Sequence, residues 1–180
     1  MFKVPIRLIS AIIMVLACAA SLAEKQTEET AGKFIGKWDR TSGIISLFTR
    51  ESAGAKRVRL LVADEHIENN SSKLSFDMSA LDLDELEDLI EDTLKELGTP
   101  EKLPILPVNA KEVVNHVGQL SYPNGKIKLT VVDPPGARRY VTLLIYPLSR
   151  KFQFIYWMDR EDLVALKKLL DRGLNELGES

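Results

Sequence analysis

From residue 34 onward the chain sets apolar residues at every second position in short runs. Twice it then switches to the three-to-four spacing of a helix. The two switches align at a shift of 80 residues, Leu74–Gly98 on Phe154–Gly178. Leu74, Phe76 and Met78 match Phe154, Tyr156 and Met158 as the inward face of a strand. Leu83, Leu86, Leu89, Ile90, Leu94 and Leu97 match Leu163, Leu166, Leu169, Leu170, Leu174 and Leu177 as one apolar helical stripe. Ser79 and Asp159 stand where a helix cap belongs, with Asp82 and Asp162 three residues on, where a carboxylate suits the positive end of the helix dipole. Gly98 and Gly178 occupy the terminating position. An internal repeat of this kind governs every later inference.

Upstream of each helix the pattern predicts strands. Gly43–Arg50 and Lys56–Glu65 are β-rich runs in the first copy, and Lys126–Val132 and Arg138–Tyr146 in the second. A further strand is expected around Phe34–Asp39 and around Val114–Ser121, and Asn124-Gly125 is a tight-turn signal. The fold class is therefore α+β, two tandem ββββα repeats covering residues 34–98 and 113–180. Residues 99–112, with Pro100, Pro104 and Pro107, are expected to be an extended connector rather than helix. Pro104-Ile105-Leu106-Pro107 formally matches a proline-helix ligand, and a stiff spacer is the preferred reading. Four strands and a helix, used twice, resemble the Whirly and PUR-type single-stranded nucleic-acid-binding folds in element order. That likeness implies architecture only, since fold alone does not carry function.

The N-terminus follows a different pattern. Lys3 and Arg7 precede an apolar run from Leu8 to Ala20, and Ser21-Leu22-Ala23 offers small residues for cleavage before Glu24. Residues 1–23 read as a secretory signal peptide too short for a stable membrane span, and 24–33 as a polar leader. Cys18, the one cysteine, follows Val15-Leu16-Ala17, which loosely resembles a bacterial lipobox. A lipid anchor at Cys18 is thus the alternative to its removal, and the one route to membrane attachment. Cleavage takes two of the 24 basic side chains and none of the 26 acidic ones, moving the formal charge from −2 to −4. The exported part is then a thiol-free, mildly acidic domain, for which nucleic acid is not an expected partner.

Catalytic and metal signatures are missing. HExxH, GxSxG, GxGxxG and the phosphate-cradling GxxxxGK[ST] are all absent. His66 and His116 stand in unrelated contexts, so no metal site or cofactor is expected. The acidic run Asp82–Asp88 carries leucines at helical spacing and no glycine, which suits a solvated helix face better than a calcium loop. Asn69 and Asn70 form glycosylation sequons that matter only in a eukaryotic secretory route.

One surface stands out. If Phe154, Tyr156 and Met158 face inward, Gln153, Ile155 and Trp157 face out, where the first copy has Lys73, Ser75 and Asp77. Neighbouring strands would add Lys126, Lys128 and Thr130, then Tyr140, Thr142, Leu144 and Tyr146. Three readings compete: burial against the first sheet or a second subunit, a site for an apolar or aromatic ligand or peptide, and a stacking platform for single-stranded nucleic acid. The candidate contact residues are Tyr140, Tyr146, Ile155, Trp157, Lys126 and Lys128; no catalytic residue is assigned. The functional expectation is an exported, periplasmic or secreted, non-enzymatic module that binds a protein, a peptide or an envelope component, or pairs with its own copy. A small enzyme with dispersed residues is the alternative.

Overall fold

The computed structural model describes residues 32–52, 54–63, 73–148 and 153–178. β1 (Phe34–Arg40), β2 (Gly43–Ser52), β3 (Ala55–Ala63) and β4 (Lys73–Met78) lead into α1 (Ala80–Leu97). β5 (Val113–Tyr122), β6 (Gly125–Asp133), β7 (Tyr140–Pro147) and β8 (Phe154–Met158) lead into α2 (Arg160–Leu177). Each set of four strands forms its own antiparallel sheet in sequential order. The chain is the α+β arrangement of two ββββα units that its patterning predicts.

Both helices begin with a reciprocal cap. The Asp82 N–H donates to Ser79 Oγ at 3.2 Å, and the Ser79 N–H donates to Asp82 Oδ2 at 2.7 Å. The Asp162 N–H donates to Asp159 Oδ1 at 2.8 Å, and the Asp159 N–H to Asp162 Oδ2 at 3.3 Å. Each pair satisfies two N–H groups that a helix start leaves without partners.

The connector departs from the expected extended chain in one place. Pro100–Lys102 makes a turn of 3-10 helix with proline at its first position, where the missing N–H costs nothing. Beyond it, the Gly136 N–H donates to the Leu106 carbonyl at 2.9 Å, and Leu106 bridges Pro135. The Pro104–Pro107 stretch is thus tied to the β6–β7 connection. Residues 1–31, with Cys18 and the expected signal peptide, lie outside the described residues, as do His66, Asn69 and Asn70.

The two units exchange helices. α1 packs on β5 and β6, and α2 packs on β1 and β2. Matching glycines mark the two seats. A Cβ on Gly118 would stand 2.6 Å from Leu89 Cδ1, and one on Gly36 would stand 2.8 Å from Leu169 Cδ1. Each glycine follows a register shift in its strand, at Phe34/Gly36 and at His116/Gly118. An extra residue there bends the strand beneath the crossing helix, and the bare backbone lets Leu89 or Leu169 approach.

One core results. A small void of about 10 Å³ is lined by Ile45 and Leu60 of the first sheet, Ile127 and Leu143 of the second, and Leu86 and Leu166 of the helices. Polar links tighten the exchange. Arg40 Nε donates to Asp162 Oδ1 at 2.7 Å and Trp38 Nε1 donates to the same oxygen at 3.4 Å, joining β1 to the start of α2. Tyr122, at the same place in β5, donates its hydroxyl to the Asp82 carbonyl at 3.4 Å. Arg160 Nη1 donates to the Gly98 carbonyl at 2.6 Å and Arg139 Nη1 to the Glu96 carbonyl at 2.8 Å, so second-unit cations neutralise the carboxyl end of α1.

Where the helices meet, Lys167 contacts Glu87, Glu91 (3.2 Å) and Asp171 (3.8 Å). The acidic cluster holds the Lys167 ammonium well above its usual range, chiefly through its bond to Glu87. Burial pushes the Glu87 carboxyl up, with Lys167 opposing it. The lysine therefore contributes stability below its ordinary pKa, and that contribution is lost only as strongly alkaline pH deprotonates it in the fold. Lys167→Met leaves Glu87 beside Glu91 and Asp171 without a cation. At neutral pH it should cost about 1–3 kcal/mol. The loss should shrink as pH falls through the raised Glu87 pKa, because the protonated carboxyl no longer needs a partner. Urea unfolding of both proteins at neutral pH and near pH 5 measures the difference; a loss equal at the two pH values would contradict it.

Candidate binding face

The register across the second sheet brings the predicted surface together. Ser121, Lys126 and Tyr146 form one cross-strand row. Gln119, Lys128, Leu144 and Ile155 form the next, and His116, Thr130, Thr142 and Trp157 the third. Val114, Val132 and Tyr140 form a fourth. The alternate residues Ile127, Leu129, Leu143, Ile145, Phe154 and Tyr156 point into the core and are buried, so the rows occupy the opposite, outer face.

All six predicted contact residues lie on that face. Tyr140, Tyr146, Ile155, Lys126 and Lys128 are half-buried, and Trp157 is 60% exposed. The first sheet does not cover them, since its own core face turns toward the same shared interior. Burial of this face against the first sheet, one of the sequence expectations, does not occur. Lys126 stands beside Tyr146 and Lys128 beside Leu144, an arrangement that lets methylene stems cover apolar neighbours while ammonium groups stay in water. Tyr140 has its hydroxyl pKa raised, first by burial and then by the nearby Glu112 carboxylate. It is a neutral hydrogen-bonding group at ordinary pH rather than a base.

The equivalent row in the first sheet is chemically different. There Phe34, Phe48, Arg59 and Asp77 stand in register where the second sheet has His116, Thr130, Thr142 and Trp157. Asp77 accepts from Arg59 Nε at 2.8 Å, from Arg59 Nη2 at 3.1 Å and from Arg50 Nη1 at 2.9 Å. The Phe34 and Phe48 rings pack together with centroids 5.4 Å apart. On that face the charges close on each other, while Phe34 stays 53% exposed. On the second face Thr130 is buried, and Trp157, in the place of Asp77, has neither an ion pair nor a covering ring among the described residues.

An open depression of about 690 Å³ lies between the end of α1 and β5 and shares Val114 and His116 with the edge of the face. Its polar groups pair among themselves, Lys95 with Asp92 at 2.9 Å and Asn115 Nδ2 with Glu96 Oε1 at 3.2 Å. His116 reaches Thr130 Oγ1 at 3.4 Å. This depression presents no nucleophile beside a base. Among the described residues no three His, Cys, Asp or Glu side chains converge as metal ligands, and no helix is long and apolar enough to cross a membrane.

No protein-family model matches the chain, and no curated protein matches it. Functional inference therefore rests on the face itself. The residues sequence reasoning did not find are those of the exchange, Gly36 and Gly118. The pairs Ile35-Gly36 and Val117-Gly118 carry the signal, but at a shift of 82 rather than the 80 that relates the helices.

Proposed function

We propose that this chain is an exported, non-enzymatic binding module whose contact surface is the outer face of the second sheet. One observation carries the reading: Trp157 is 60% exposed at a position where the otherwise equivalent first sheet holds an aspartate clamped by two arginines. Exposing a large aromatic ring in water gives nothing to the fold, and such rings dominate binding energy where they become buried by a partner. Export rests on residues 1–23. The mass of the processed chain tests it, separating a start at Glu24 from a lipid-bearing Cys18.

Binding is tested with the processed domain immobilised and exposed to envelope extract of the source cell. Wild type should retain a saturable partner, and the double variant Trp157→Ala, Tyr146→Ala should lose it while its thermal midpoint stays within a few degrees. Self-association abolished by the same variant would identify a second copy as the partner. Equal recovery by wild type and variant, with no change in self-association, would refute the assignment of the face. Trp38, buried at 3% exposure, serves as internal reference: acrylamide should quench Trp157 in the free protein and spare Trp38.

A further inference from the structure

The face carries charge as well as aromatic surface, and the charge specifies an occupant. Lys126 and Lys128 form no ion pair among the described residues, whereas Arg50 and Arg59 on the first sheet's outer face are both held by Asp77. The four rows from β5 to β8 include no carboxylate. In a chain of net charge −2 the Lys126–Lys128 end of the face is a cationic island, with the Glu112 carboxylate at the far end near Tyr140. The two lysines project from one strand two residues apart, about 7 Å along its axis. Carboxylates two residues apart on an extended peptide have that same spacing. Beside the lysines, on the next two strands, lie Leu144, Ile155 and Trp157. The aliphatic pair separates the lysines from the ring. That arrangement suits side chains of a peptide better than stacked bases, which need successive aromatic platforms and a longer cationic track.

Resting on the assignment of this face as the contact surface, we propose that its ligand is an extended acidic peptide segment, with carboxylates on Lys126 and Lys128 and large apolar side chains on Leu144, Ile155 and Trp157. The positive pair steers and registers the segment, and burial of the Trp157 ring supplies most of the affinity.

The probe is a fluorescein-labelled peptide with the core Asp-Leu-Asp-Phe between Gly-Ser flanks, titrated with the processed protein and followed by anisotropy. Wild type should bind it saturably and more weakly as salt rises. Trp157→Ala should weaken binding roughly thirtyfold. Lys126→Glu combined with Lys128→Glu should weaken it about tenfold. That double variant should instead prefer a Lys-Leu-Lys-Phe core, a reversal that mere loss of structure would not produce. Ser75→Ala, on the outer face of the first sheet, should leave binding unchanged. Failure of the acidic peptide to bind, equal binding of acidic and basic cores by wild type, or tighter binding of a carboxylated glycan or an oligothymidylate would each overturn the proposal. If the peptide fails while Trp157-dependent capture from envelope extract persists, only the peptide assignment falls. If both fail, the face itself is misassigned.

Discussion

Residues 34–98, produced without the second repeat, should show no cooperative unfolding transition. The reason is the helix exchange. In the intact chain the core face of β1 and β2 is covered by α2, and α1 rests on β5 and β6. The isolated first unit keeps its helix but loses the surface that helix was shaped for, together with the cover over Ile45, Leu47, Leu60 and Val62. Each fully buried aliphatic side chain contributes about 1.5–3 kcal/mol. Uncovering four of them removes an amount comparable to the whole stability of an ordinary domain, about 5–15 kcal/mol. Mixing this fragment with residues 99–178 should restore a single transition, because each half carries the other's helix seat. Circular dichroism against urea, on each fragment and on the mixture, makes the measurement. A first fragment that melts cooperatively as a monomer would sink the idea of an obligatory exchange.

Tyr156→Ala should be the most damaging single substitution at the junction of the sheets, costing about 3–5 kcal/mol. The side chain is fully buried. Its ring meets Trp38 edge-on, with centroids 5.7 Å apart at 84°. Its hydroxyl donates to the Ala63 carbonyl at 3.3 Å, across the two units. Gly43 lies against the same ring, where a Cβ would approach Tyr156 Cε1 to 2.7 Å. Alanine removes the ring and leaves a cavity between β8, β1 and β2. Phenylalanine keeps the ring and loses only the hydroxyl bond, so Tyr156→Phe should cost about 1 kcal/mol. Denaturant unfolding of the two variants reads the difference, and equal losses would show that the hydroxyl rather than the ring holds the junction. At the other junction Phe76, the counterpart of Tyr156, meets Tyr122 instead, with centroids 5.3 Å apart at 61°.

The repeat was legible because strands and helices impose different periods on the same apolar residues. Leu74, Phe76 and Met78 alternate, Leu83, Leu86 and Ile90 do not, and the copy beginning at Phe154 repeats both patterns. The caps at Ser79 and Asp159 were legible for a local reason: the bonds close within four residues, so no distant part of the chain is consulted. The inward and outward faces of β8 followed from the same alternation. Strand ends were less legible. β7 begins at Tyr140 rather than Arg138, because Arg139 turns to hold Asp133 through two bonds of 2.5 and 2.6 Å. The proline connector hid a 3-10 turn at Pro100–Lys102, since proline at a first helical position and proline in an extended spacer look alike without neighbours.

By itself, then, the chain determined what its short-range chemistry controls: two ββββα units, their caps, and which residues of each strand share a face. Only the tertiary structure decided which sheet each helix covers. An apolar stripe records that a helix needs a partner and not which partner, and the two sheets offer nearly the same core face. It also decided that Trp157, alone among the rings of the second sheet's last strand, meets solvent. Exposure depends on what the rest of the chain leaves uncovered. Because the exchanged helices crowd into one shared interior, the part of the second sheet's outer face that carries Lys126, Lys128 and Trp157 is left open, while Thr130 and Val132 beside it are buried.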